Sequence, residues 1–209
     1  MAGFDWIIDP SKFLSQKEAK RLLETAKAEA AQGLLYHRPT PVRDYFLIHL
    51  ALATGLRVME IARLNCGDIY INKDSSWLIV RKGKCGKRRL VRFNRDFKEH
   101  YQEYLKWKQA RQEPYGTADP LLQSIRTGGH MTTRALEKAF KRVAHRACLP
   151  GHYSIHSLRH THACQLYKAS GYNLRLVQKQ LGHSKARTTE VYADVLNPDM
   201  KKSLEKLCF

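Results

Sequence analysis

The sequence predicts a mainly α domain carrying one small antiparallel β-sheet, and three observations predict it. Apolar residues recur at helical spacing over most of the chain. Between Ile69 and Phe93 that period gives way to three short β-prone runs, after which the helical period resumes. The 209 residues, 43% hydrophobic and 27% charged, lie near the averages for soluble globular proteins and suit one substantial domain rather than two.

Ser15-Gln16-Lys17-Glu18 is a capping box, and Ala19, Leu22, Leu23, Ala26 and Ala30 follow at helical spacing, so a first helix should run from about Ser15 to Gln32. Thr40-Pro41 offers an N-cap and a proline at the first helical position, which predicts a second helix over Val42 to Ala53, stopped by Gly55. A short third helix is expected from Arg57 to Leu64, before Asn65-Cys66-Gly67-Asp68 turns the chain. Ile69–Ile71, Trp77–Val80 and Leu90–Phe93 then read as strands, the last two joined by a basic hairpin tip, K-G-K-C-G-K-R-R. Phe97, Tyr101, Tyr104 and Leu105 stripe a helix over Arg95 to Arg111, residues 113–131 read as a loop, and Leu136, Phe140, Val143 and Ala147 stripe another helix. The remaining helices should begin near Ser157, Asn173, Thr188 and Pro198, with Gly171 and Gly182 as stops.

Charge narrows the class of partner. Lys and Arg number 37 against 19 Asp and Glu, a formal +18, and such a surplus favours a polyanion. Solubility alone is the plainer explanation of the same surplus. No apolar run approaches the roughly 18 residues of a membrane span, and no end of the chain pairs an apolar with a basic face, so a membrane is not expected as partner. The N-terminus lacks the features of a signal peptide, and a cytoplasmic protein is expected. Its five scattered cysteines, never in C-x-x-C spacing, read as reduced thiols rather than a disulfide framework or thiolate zinc site.

The residues able to carry chemistry are concentrated near the C-terminus. In a helix starting near His156, His156, Arg159, His160 and Ala163 share one face. His156 and Arg159 would then lie in the first turn, where free amides and the positive end of the helix attract an anion and a guanidinium fork matches two phosphate oxygens. A solvated basic turn is the ordinary alternative. His156 and His160 also have i, i+4 metal spacing, but S-L-R between them brings a fixed positive charge instead of a carboxylate, and no metal site is expected. His183 follows Gly182 at a helix end, and Tyr192 lies in the helix beginning near Thr188. A phenol with a free pKa of about 10 is a weak nucleophile unless a base or nearby cations assist it, and a tyrosine there could equally be a core aromatic. Upstream, Arg57 and Glu60 lie one turn apart, which is either a surface ion pair or a second phosphate clamp whose fork Glu60 fixes. Lys84 in the hairpin tip is either a solvated lysine or a proton donor carried into a DNA groove.

The motifs A-T-G-L-R-V-M-E, the basic hairpin G-K-C-G-K-R-R, H-S-L-R-H-T-H-A and L-G-H-S-K-A-R-T-T-E-V-Y occur in that order, and in this the chain resembles the tyrosine recombinases, the phage-integrase family. The resemblance covers about Phe13 to Val195. It implies the tyrosine recombinase catalytic-domain fold and a catalytic set of Arg57, Lys84, His156, Arg159, His183 and the nucleophile Tyr192, with Glu60 and His160 supporting. Lys82, Lys87, Arg88 and Arg89 are the expected DNA contacts. It further implies a site-specific recombinase or integrase acting on double-stranded DNA through a 3′-phosphotyrosyl link. Such chemistry conserves the bond energy, and no cofactor is expected. Self-assembly as a dimer or tetramer on DNA and an accessory DNA-bending protein belong to the same expectation.

By this resemblance residues 13–196 form the catalytic domain, 1–12 a tail or linker remnant, and 197–209 a C-terminal helix that docks either on its own domain or on a neighbouring protomer. The N-terminal helical clamp usual in the family is expected to be absent, because the first helix already belongs to the catalytic domain. Cys85 stands where a glycine often follows the hairpin lysine, which leaves Lys87 as the rival of Lys84. Three other functions compete: a topoisomerase of the same chemistry, a non-catalytic DNA-binding module, and a metal-dependent nuclease.

Overall fold

The computed structural model describes residues 12–72, 75–81 and 88–182. Its first helix, α1 (Gln16–Leu35), begins at the capping box: Ser15 Oγ accepts the Glu18 amide at 3.3 Å and Glu18 Oε2 accepts the Ser15 amide at 2.8 Å. The next, α2 (Pro39–Thr54), starts earlier than its sequence suggests. Thr40 is not the N-cap. Arg38 holds that position, with Pro39 as the first helical residue, and prolines at 39 and 41 are tolerated because first-turn amides have no helical acceptor. The helix ends at Gly55 in the left-handed conformation, φ 63°.

A single turn, α3 (Val58–Ile61), follows, shorter than the expected run to Leu64, and a 3-10 turn at Cys66–Asp68 leads into the sheet. Strands β1 (Ile69–Ile71), β2 (Ser76–Val80) and β3 (Arg89–Arg92) pair antiparallel in the order β1-β2-β3, with Ile69 opposite Leu78 and Leu78 opposite Val91. Alternation fixes which face is covered. Leu78, Val80 and Val91 are buried, while Tyr70 and Leu90 on the other face are exposed.

The second helical half comprises α4 (Arg95–Ala110), α5 (Thr133–Arg146), α6 (Ile155–Ala169) and α7 (Leu174–Leu181). Asn94, Thr132 and Asn173 cap α4, α5 and α7 with their side chains. Helix α6 begins two residues before the expected Ser157, its N-cap being Ser154. Central to the core is α2, which packs against α1, α4, α5 and α6. Its Phe46, Leu47, Ile48 and Leu50 are fully buried, and Phe46 stacks on Tyr104 of α4 at 3.9 Å between ring centroids. A second apolar cluster, Ala163, Cys164 and Tyr167 of α6 with Val177 and Leu181 of α7, holds α7 in place. The end of α7 is also stitched to the sheet, for Gln180 accepts the Arg92 amide at 3.2 Å and donates to Arg92 O at 2.7 Å.

Candidate functional site

Three separated segments converge where α2 ends, α6 begins and α7 ends. Gly55 closes α2, and a Cβ in its place would lie 2.5 Å from His162 Cδ2 and 3.0 Å from Leu181 Cδ2, so both the positive φ and the close approach require glycine. The carbonyls at these two helix ends need donors. Arg159 supplies them: Nη1 donates to Gly55 O at 2.6 Å and Nη2 to Leu181 O at 2.9 Å. This guanidinium is buried, and because α6 starts at Ile155 rather than near His156 it lies one residue further into the helix than the sequence suggests, at the start of the second turn.

The start of α6 is also less bare than a free helix end. Glu137 of α5 accepts the Ile155 amide at 3.2 Å, so one of the first-turn donors expected to face an anion already meets a carboxylate. His156, next in the chain, is exposed and meets the His160 ring edge-on at 4.6 Å. Partial desolvation of its ring, then the positive charges of Arg159 and Arg57, hold its pKa below the ordinary imidazole range. His160, half-buried, is pushed down to about 4, first by burial and then by His156, Arg159 and Lys12. Both rings are therefore neutral near pH 7, able to take a proton.

Arg57 stands at the N-cap of α3 with its side chain 29% exposed. Its amide donates to Glu60 Oε2 at 2.8 Å and its Nη1 to Glu60 Oε1 at 3.2 Å. The structure thus brings together Arg57, Glu60, His156, Arg159 and His160, which the sequence motifs single out from two distant stretches. Lys82, Lys84, Lys87, His183 and Tyr192 lie outside the described residues. Arg88 is exposed just before β3. Arg89 differs from the expected open DNA contact. It opens β3 and forks onto Glu60, Nη1 to Oε1 at 2.7 Å and Nη2 to Oε2 at 2.8 Å, with its side chain 13% exposed.

Two contributors stand outside the sequence motifs' expected roles. His162, whose Nδ1 lies 2.8 Å from Leu52 O, places its ring under Gly55. Burial pushes it down to about 4, and its Nε2 is buried with no hydrogen-bond partner among the described residues. Its signal in the sequence is helical spacing, since it lies one turn after the fully buried Leu158. The inward orientation of Arg89 follows from strand alternation once β3 begins at Arg89 rather than Leu90, since it lies two residues before the buried Val91.

Known proteins share this arrangement of sequence and fold. The model of the phage integrase family matches residues 12–198. Among curated proteins, tyrosine recombinase XerD of Ralstonia nicotianae is 34% identical over 192 residues, covering 90% of this chain and 61% of that protein. Tyrosine recombinase XerC of Mannheimia succiniciproducens is 31% identical over 179 residues, covering 84% of this chain and 58% of its own length. This chain therefore spans about three fifths of these relatives. Among solved structures, the XerH site-specific recombinase bound to palindromic difH substrate, a post-cleavage complex, superposes with a TM-score of 0.75 at 25% identity over 95% of this chain and 54% of that one. XerA recombinase superposes with a TM-score of 0.74, also at 25% identity, over 95% of this chain and 66% of that one.

Proposed function

Because the chain belongs to the phage integrase family, we propose that it is a site-specific DNA recombinase or integrase, cleaving and rejoining strands through a covalent 3′-phosphotyrosyl intermediate. One observation carries this reading: Arg159, tied between Gly55 O and Leu181 O, and Arg57, held by Glu60, come from distant stretches of the sequence to act on the exposed imidazole of His156. Two guanidinium groups beside a proton acceptor suit a phosphodiester passing through a transition state with more charge on its oxygens.

In the proposed reaction the Tyr192 phenolic oxygen attacks the phosphorus, and the bond from phosphorus to the 5′-oxygen breaks. His156 takes the phenolic proton. Lys84 gives a proton to the departing 5′-oxygen, and His183 donates a hydrogen bond to the phosphate. Arg57, the more exposed of the two, holds a non-bridging oxygen, and the buried Arg159 adds its positive charge to stabilise the phosphoryl oxygens; in other phosphoryl transfers one arginine is worth about 10³ to 10⁵ in rate. A 5′-hydroxyl from another strand reverses the step. Each esterification replaces one phosphodiester by another, so no nucleotide hydrolysis is required.

The partner proposed is double-stranded DNA, with self-assembly into a dimer or tetramer on it. The λ integrase solved as a tetramer bound to a Holliday junction is a neighbour in fold that supports such an assembly. An accessory DNA-bending protein and a cytoplasmic site of action complete the proposal.

The test is a nicked or bridging-phosphorothiolate duplex incubated with the protein and resolved on a denaturing gel. The expected result is a protein–DNA adduct from wild type and none from Tyr192→Phe. Tight DNA binding by wild type without any adduct would overturn the reading in favour of a DNA-binding module. Adduct formation abolished by EDTA would point to metal-dependent chemistry instead.

A further inference from the structure

We propose that Arg89 is a positioning residue of the cleavage site, fixing Glu60 behind Arg57 with its guanidinium fork while its stem seats the turn at Gly182 that leads to His183. The proposal rests on the recombinase reading.

Glu60 carries two arginines on one carboxylate, and their geometries are unequal. Arg89 makes two parallel bonds, 2.7 Å to Oε1 and 2.8 Å to Oε2. Arg57 reaches the same Oε1 with one side-chain bond of 3.2 Å. Paired charge-assisted bonds outrank a single longer one, so Arg89 sets the carboxylate's orientation and Arg57 takes its place from it. The outcome suits a clamp. Arg57 is anchored by its amide at 2.8 Å and by one guanidinium nitrogen, with its side chain 29% exposed, whereas the Arg89 side chain is 13% exposed.

The second half of the device is steric. Gly182 ends α7 at φ 68°, and a Cβ there would run into Arg89 Cδ, Nε and Cζ. The Arg89 stem therefore occupies space that only glycine leaves open, immediately before His183 in the chain. The Gln180–Arg92 pair holds the same two elements together alongside. One side chain thus touches the segment bearing Arg57 and the segment leading to His183, and it opens the strand that follows the hairpin of Lys84.

Charge agrees with geometry. Burial alone would raise the Glu60 pKa, yet the bonds and charge of Arg89, the Arg57 amide and the Arg159 charge together bring it below the usual carboxylate range. Glu60 also lines a cavity together with Arg63, Asp68 and Arg81. Lysine at position 89 would keep the charge but could not span both oxygens.

The test compares wild type with Arg89→Met, Arg89→Lys, Glu60→Gln and the double variant Arg89→Met/Glu60→Gln on the nicked duplex, measuring adduct rate at saturating protein and DNA affinity separately. Arg89→Met is expected to slow adduct formation on the order of 10²-fold, the cost of a misplaced reacting group, with affinity unchanged within about twofold. Arg89→Lys should fall between, and adding Glu60→Gln to Arg89→Met should cost little more, because the pair acts as a unit. Loss of affinity in step with rate, or independent losses in the double variant, would overturn the proposal. If Arg89→Met does not fold, Arg89→Lys and Glu60→Gln decide it by the same two measurements. If wild type itself forms no adduct, the recombinase reading fails, and Arg89 is judged by stability against pH. Glu60, depressed in the folded wild type and freed to rise in Arg89→Met, makes the stability gap between them largest at neutral pH and closing as pH falls through 4.5. A gap independent of pH would sink the Arg89–Glu60 link.

Discussion

Arg159 serves the fold as well as the proposed chemistry, because its Nη1 and Nη2 hold the carbonyls of Gly55 and Leu181 at 2.6 and 2.9 Å. Lysine there could reach at most one of the two with comparable geometry, leaving the other buried acceptor unmet. Arg159→Lys should therefore lower the unfolding free energy by about 1 to 3 kcal/mol in urea titration, and also suppress adduct formation under conditions where the variant remains folded. Gly55→Ala should cost about 2 to 4 kcal/mol, combining a left-handed alanine with a methyl group driven into the His162 ring. For His156 the sign follows from its depressed pKa: the neutral base persists below the ordinary value of 6.5, so the acid limb of the adduct rate, if His156 takes the proton, should have its midpoint under 6.5. Arg57, Glu60, His156 and Arg159 are legible in the sequence because their spacing within short motifs survives without coordinates. Arg89 is not, because a run of basic residues reads as one exposed tip, and only strand register separates the inward Arg89 from the exposed Arg88.

At the scale of elements, what the sequence reveals depends on whether a boundary is set locally or by neighbours. The capping box at Ser15, the glycine stop at Gly55 and the three strands are local signals, and each element forms where they stand. The starts of α2 and α6 are not local in this way. Arg38 caps α2 without any side-chain bond, and Glu137 of a different helix meets the first amide of α6. The contact of α2 with α4 has its own measurable consequence. His49 and His100 face each other, Nδ1 to Nδ1, at 2.8 Å among Tyr45, Phe46 and Phe97, which requires one nitrogen to donate and the other to accept. Burial pushes them down to about 4 and about 3, and the buried His162 to about 4. Below 6.5 the unfolded chain binds protons that the folded chain refuses, so stability falls as pH drops towards 4. Asp44 opposes this: burial, despite the Arg142 fork, pushes it up to about 6, so the folded state gains a proton there first. The three histidines outweigh it, and urea titrations should show a loss on the order of 4 kcal/mol between pH 6.5 and 5. His100→Phe should make that dependence shallower; an unchanged slope would mean that the pair is not its source.

Over the whole molecule, the formal charge of +18 overstates what is available to a polyanion. Arg43, Arg89 and Arg142 spend their charge on Glu113, Glu60 and Asp44, carboxylates that are themselves almost entirely buried. Arg43 and Arg89 are themselves buried in these pairs and orient elements rather than face a polyanion, whereas the Arg142 side chain stays 42% exposed beside Asp44. Position therefore decides which cations matter, and the salt dependence of binding separates the two populations. Each phosphate neutralised by an exposed cation contributes about 0.9 to the slope of log affinity against log salt. Replacing the exposed Arg88 by glutamine should lower the slope by about one such increment, as should replacing Lys82 or Lys87 if the hairpin lies along the DNA. Arg89→Lys should leave it unchanged, even as the cleavage rate falls, because its guanidinium already faces Glu60. Fluorescence anisotropy of a labelled duplex across a salt series makes the measurement. A flat profile for the wild type would remove DNA as the partner, and a reduced slope for Arg89→Lys would move that residue from the site's framework to its binding surface.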